Sequence, residues 1–178
     1  MAIEIVQVLP LLPSVEQALN ASYTVHRLWE AKDRSAMLAE IAPRVRGMAT
    51  SGSTGANAAL IDALPQLEII ACFGVGVDAV DTAHCQAKGV IVTNTPDVLT
   101  DEVADLAIGL TLATLRRIPQ GDAFVRGGHW PTGKFPLADK LGGKTMGILG
   151  FGRIGQAIAK RAEICGVSVV YSLARIHI

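Results

Sequence analysis

Short β-branched runs alternate along the chain with segments whose apolar residues recur at helical spacing. Residues 3–9 read as a strand closed by Pro10 and Pro13, and Ser14 is placed to cap a short helix through Asn20. A second strand is predicted over 23–28 and a helix over 35–41, with Pro43 just past its end. The strand at 45–50 runs into the small-residue loop Ser51-Gly52-Ser53-Thr54-Gly55, and Asn57 opens a helix through Leu64. The strand at 67–73 ends in Gly74-Val75-Gly76-Val77-Asp78. A helix over 81–88 then leads through Gly89 to a strand at 90–93. Strands joined by helical crossovers form a parallel sheet covered on both faces. That pattern places a first domain at residues 1–99. Its loops 51–55 and 74–78 lie at the carboxyl ends of strands, where such sheets bind ligands.

Asn94-Thr95-Pro96 breaks the pattern. Thr100 is then expected as the N-cap of a long helix, with Asp101, Glu102 and Asp105 near its start and Arg116 and Arg117 at its end, as the helix dipole favours. Val103, Leu106, Ile108, Leu110, Leu112 and Leu115 make this helix apolar on nearly every side, so it belongs either in a core or in a subunit interface. Residues 122–130 look less regular, and Gly127-Gly128 stops any helix there.

A strand at 144–149 runs directly into Gly150-Phe151-Gly152-Arg153-Ile154-Gly155, followed by a helix over 156–165, Gly166 and a strand at 167–171. This is G-x-G-x-x-G spacing in strand–turn–helix context. Gly150 permits the tight turn, Gly152 lets a diphosphate approach bare backbone, and Gly155 lets helix and strand pack closely. The helix N-terminus offers N–H groups and a positive dipole end to the phosphates. The other reading is a glycine-rich turn that serves packing alone. A ribose-binding acid belongs at the end of the second strand, about 20 residues past the first glycine. None is present there. Ser172 and Arg175 offer a hydroxyl and a cation, which suit the 2′-phosphate of NADP better than the free ribose of NAD. The alternative is that these last residues say nothing about the cofactor.

Composition narrows the class. Half of the 178 residues are apolar, 18 % are charged and the formal net charge is zero. A disordered chain would be poorer in apolar residues, and a nucleic-acid binder would carry a basic face. Cys72, Cys85 and Cys165 are scattered in apolar stretches, which predicts reduced thiols. With no secretion signal legible at Met1 and no apolar stretch of membrane-spanning length, a cytoplasmic protein without membrane partners is the expectation. Asp78 and Asp81 could be paired carboxylates, but they suit helix capping better. His84 is expected at the surface or in the core. His26 and His129 have no partner legible in the sequence.

Four ordered motifs resemble the D-isomer-specific 2-hydroxyacid dehydrogenases: residues 73–78, residues 93–96, residues 99–105, and the run from Gly147 to Gly155. The likeness covers nearly the whole chain and is strongest to the glyoxylate and hydroxypyruvate reductases, including the hydroxyphenylpyruvate reductases. It implies an α/β fold: a flavodoxin-like parallel-sheet substrate domain at 1–99, then the first part of a Rossmann dinucleotide-binding domain at 100–178. The implied activity is NAD(P)H-dependent reduction of a small 2-keto acid to the D-2-hydroxy acid. Val75 and Gly76 would offer N–H groups to the substrate carboxylate, and the loop holding Ser53 would line the same cleft. Thr100 would lie near the nicotinamide, Gly150, Phe151, Gly152, Arg153, Ile154 and Gly155 would hold the diphosphate, and a homodimer would form through the long helix. Such reductases tend to prefer NADPH, which agrees with the missing acid.

The resemblance also implies a substrate-binding Arg and a Glu–His pair that moves the proton, all beyond Ile178; Arg175 and His177 fall too early to be these groups. A full dinucleotide domain needs about 150 residues, so the isolated chain is expected to be an inactive, truncated part of such an enzyme. The rival reading is a nucleotide-binding or dimerisation module without catalysis. Phosphoglycerate and formate dehydrogenases are disfavoured because those relatives usually carry the ribose-binding acid.

Overall fold

The computed structural model describes residues 2–173. Arg175 and His177, singled out above, therefore lie outside the described residues. The chain divides into two compact units, Met1–Pro96 and Asp97–Ile178.

The first unit runs β1 (Glu4–Gln7), α1 (Pro13–Ser22), β2 (Thr24–Arg27), a short 3-10 turn, α2 (Arg34–Ile41), β3 (Val45–Ser51), α3 (Ala58–Asp62), β4 (Ile69–Phe73), α4 (Thr82–Lys88) and β5 (Ile91–Thr93). All strand pairs are parallel, in the order β2-β1-β3-β4-β5. This is the flavodoxin-type order, and it reverses direction between β1 and β3. Side chains alternate between the faces of the sheet. Val6, Val8, Met48, Ile70 and Cys72 form one face, buried against Ile41, Ile61 and Cys85 of α2, α3 and α4. The opposite face carries Ile5, Gly47, Ala49, Ile69 and Ala71. These line a groove of about 260 Å³ together with Leu19 of α1 and Tyr23. Toward the β5 edge this face is open, with Ile69, Phe73 and Ile91 exposed.

The second unit runs α5 (Thr100–Leu115), α6 (Ile118–Arg126), β6 (Thr145–Leu149), α7 (Arg153–Ile164) and β7 (Ser168–Ser172). β6 and β7 pair in parallel around the α7 crossover. A small core joins Leu141, Ala162 and Val167 to Ile108, Leu112 and Leu115 of α5. Arg161 of α7 holds both Asp101 (2.9 Å) and Asp105 (2.5 Å) of α5.

Several helix boundaries differ from expectation. Pro13, not Ser14, begins α1, and the preceding Leu12 makes no side-chain cap. Proline suits the first turn because its missing N–H would have no partner there. The first turn is instead tied down by Glu16, whose carboxylate accepts the Leu11 N–H and Gln7 Nε2, each at 3.0 Å. Thr100 is the first helical residue of α5 rather than its cap; Leu99 holds the cap position without a side-chain hydrogen bond. Residues 118–126 form a regular helix, with Pro119 near its start and Gly127 at its C-cap. α7 begins at Arg153, three residues earlier than predicted. The α5 surface is also less covered than an all-round apolar pattern implies. Only Ala104 is fully buried, while Leu106 is 60 % and Leu110 58 % exposed.

Candidate functional site

In the first unit the carboxyl ends of β3 and β4 bring two loops together. Gly52 donates its N–H to the Phe73 carbonyl (3.4 Å), extending the strand ladder into the loop. A Cβ on Gly52 would come within 2.7 Å of the Gly76 carbonyl, so only glycine allows this approach. Within the β3 loop, Ser51 Oγ accepts the Thr54 N–H and lies 3.1 Å from Ser53 Oγ. The buried Thr50 hydroxyl donates to the Gly55 carbonyl at 2.7 Å and closes the turn from below.

The Gly74–Gly76 segment is clamped from β5. Gly74 donates to Thr95 Oγ1 (3.1 Å) and accepts the Thr95 N–H (2.9 Å), while Asn94 Nδ2 donates to the Val75 carbonyl at 2.6 Å. Among the described residues, the N–H groups of Val75 and Gly76 donate to no protein acceptor. Two adjacent free N–H groups beside a carbonyl that is tied back are the donors an anion-binding concavity needs. Asn94 and Thr95 are legible in the sequence as a break in the pattern and as part of the motif at residues 93–96, but not as a clamp. Their role as a clamp depends on β5 lying beside β4, which no local pattern reveals. Asp81 caps α4 by accepting the His84 N–H at 2.9 Å, so the capping reading of that aspartate holds. Asp78 turns back toward Gly76, with Oδ2 3.2 Å from where a Cβ would stand.

Cys72 and Cys85 are buried, and burial pushes both thiols above their ordinary range. Cys165 is exposed. His26 meets Glu4 at 2.8 Å and His84 meets Asp62 at 2.9 Å; both are structural ion-pair geometries away from the loops.

In the second unit β6 leads into Gly150, at φ +89°, whose N–H donates to the Ser172 carbonyl (2.9 Å). Gly152 is the N-cap of α7 and provides no side-chain cap, so the first helical N–H groups stay available. A Cβ built on Gly152 would meet no other atom within 4 Å. One on Gly155 would lie 2.3 Å from the Gly150 carbonyl. The two glycines thus do different work: Gly155 is demanded by packing, whereas Gly152 leaves a bare backbone surface beside an uncapped helix end. Phe151 stacks on Tyr171 (centroids 3.9 Å apart, planes 11° apart), and Arg153 pairs with Asp97 at 2.9 Å. Ser172 ends β7 and is exposed. Thr100 opens α5, half-buried, with its N–H toward the Asp97 carbonyl (3.4 Å).

The second site fits the diphosphate of a dinucleotide, because a glycine cradle precedes a positively polarised helix end. Among the described residues, neither set of loops contains a histidine. They offer backbone N–H groups and hydroxyls, which bind and orient, but no imidazole acid–base group.

Comparison with known proteins identifies the family. Residues 5–170 match the D-isomer specific 2-hydroxyacid dehydrogenase catalytic domain. The chain is 48 % identical over 170 residues to hydroxyphenylpyruvate reductase of Plectranthus scutellarioides, covering 96 % of this chain and 54 % of that protein. It is 45 % identical to glyoxylate/hydroxypyruvate reductase A of Arabidopsis thaliana over the same shares. The 2-hydroxyacid dehydrogenase of Ketogulonicigenium vulgare superposes with a TM-score of 0.90 at 46 % identity, over 96 % of this chain and 54 % of that one. An NADPH-dependent glyoxylate/hydroxypyruvate reductase of Sinorhizobium meliloti, solved with NADP and malonate, gives 0.83 at 44 % identity, over 96 % and 53 %. The chain thus spans about half the length of the relatives it matches. The match extends over nearly all of its own residues, and the chain belongs to the D-isomer specific 2-hydroxyacid dehydrogenase family.

Proposed function

We propose that this chain supplies the substrate-carboxylate and dinucleotide-diphosphate loops of a reductase acting on small 2-keto acids of the glyoxylate or hydroxypyruvate type. Residues 1–99 are the substrate domain and residues 100–178 the first part of the nucleotide domain. The observation that carries the reading is the uncapped α7 terminus behind Gly152, where bare backbone lies open beside the turn.

Each residue has a definite task. The Val75 and Gly76 N–H groups hold the substrate carboxylate through backbone donors, which carry no titrating group of their own. Asn94 and Thr95 keep those donors aimed. The Ser53 hydroxyl borders the same cleft. Gly150, Phe151, Gly152, Arg153, Ile154 and Gly155 seat the diphosphate, and Thr100 stands at the nicotinamide end. When bound, NADPH or NADH supplies the hydride. Ser172, with Arg175, favours the 2′-phosphate and hence NADP over NAD. The exposed leucines of α5, Leu106 and Leu110, fit a homodimer interface.

Equilibrium titration of the purified chain with NADPH and NADH tests the reading. Binding of both is expected, tighter for NADPH, and Gly152→Val should abolish it without unfolding α7. Retention of neither coenzyme by the wild-type chain would refute the assignment.

A further inference from the structure

The phosphate turn carries its own anion. Asp97, at the start of the second unit, pairs its Oδ1 with Arg153 Nε at 2.9 Å. Arg153 is the first residue of α7, inside the Gly150–Gly155 turn. Both side chains are largely exposed, 61 % for Asp97 and 68 % for Arg153. Exposed ion pairs contribute little to stability, so folding alone is a poor reason for this one. Asp97 also sits at φ +68°, in the left-handed region that a non-glycine residue occupies at a cost. The other two acids at four-residue spacing, Asp101 and Asp105, are both spent on Arg161, well along α7. Among the described residues, it is Asp97 that directs its carboxylate to the residue at the mouth of the turn.

We propose that Asp97 competes with a nucleotide diphosphate for the Arg153 guanidinium. This rests on the reading of the Gly150–Gly155 turn as the diphosphate site. A planar guanidinium binds a carboxylate or a phosphate through the same forked donors, so a diphosphate that takes the Nε edge of Arg153 displaces Asp97 from it. Nucleotide binding therefore draws Arg153 from Asp97, and Asp97 lowers the affinity by the strength of the pair it gives up. The same exchange frees Asp97 from its partner when the coenzyme is seated.

Asp97→Asn is the discriminating change, because asparagine tolerates the left-handed conformation while losing the charge. NADPH and NADH affinities are measured by fluorescence titration on the wild-type chain, Asp97→Asn, Arg153→Gln and the double variant. Asp97→Asn should bind both coenzymes about two- to five-fold more tightly, the range set by an exposed pair. In the Arg153→Gln background the same change should give no gain. A gain that persists there would show simple charge repulsion and overturn the competition. Coenzyme binding by the wild type that Asp97→Asn leaves unchanged would also overturn it, while leaving the diphosphate assignment intact. Failure of both wild type and Asp97→Asn to bind either coenzyme would overturn the inference and the assignment together.

Discussion

Gly152 and Gly155 share one motif yet answer to different constraints, and this gives a sharp prediction. Gly155→Ala would drive a Cβ into the Gly150 carbonyl, 2.3 Å away. It should destabilise the second unit by about 1–3 kcal/mol, as overpacking does, and lose coenzyme binding with the fold. Gly152→Ala meets no protein atom within 4 Å, so its unfolding midpoint should match the wild type while coenzyme affinity falls. Thermal denaturation alongside titration separates the two, and equal destabilisation by both would argue for a turn that only packs. The motif itself was legible, since Gly150–Gly155 and the strand before it lie within eleven consecutive residues. The Asn94 and Thr95 clamp was not, because its partners, Gly74 and Val75, are about 20 residues away. Asn94→Ala removes one hydrogen bond to the Val75 carbonyl. It should weaken binding of a small carboxylate probe such as malonate several-fold, in line with about 1 kcal/mol per such bond, without changing coenzyme affinity.

The order of strands and helices could be read from periodicity, because most of the parallel strands are short and rich in β-branched residues and the crossovers carry a helical repeat. Helix starts were harder. Pro13 looks like a break, yet it lies at the beginning of a helix, as Pro119 does, where the N–H that proline lacks has no partner to lose. The α1 start instead depends on Glu16, a half-buried carboxylate that ties Leu11 and Gln7 together across the β1–α1 connection. The Leu11 N–H, then Gln7, hold its carboxyl below the ordinary value of 4.5. A group with a lowered folded-state pKa adds stability above the unfolded pKa and loses it as pH falls through the folded one. The advantage of the wild type over Glu16→Gln should therefore be full at neutral pH and shrink below pH 4.5. Melting curves across that range check it; a gap that widens on acidification would contradict the role given to Glu16.

At the scale of the whole chain, the two units rest on unequal foundations. The first buries an unbroken apolar face from Val6 through Ile70 and Cys72 against three helices, on five hydrogen-bonded strands. The second, among the described residues, has two strands and a core built on Leu141, Ala162 and Val167. It leaves Leu149 82 % and Ile164 86 % exposed. A two-stranded sheet has marginal stability unless helices cover it, and here α5 and α7 supply that cover from one side of a small core. Regions with few buried apolar contacts open locally at lower free energy. Amide hydrogen exchange on the 178-residue chain should therefore find β6 and β7 exchanging at least about 10-fold faster than β3 and β4. The α5–α7 contact, tied by Arg161 to Asp101 and Asp105, should be the slowest part of the second unit. Saturating NADPH should then slow exchange at Gly150–Gly155 and in β6, because a ligand that binds only the folded form stabilises it in proportion to its occupancy. Uniform exchange across both units would mean that the second core is far better built than its exposed leucines and isoleucines allow. Protection that ignores NADPH would place the coenzyme somewhere other than the glycine turn.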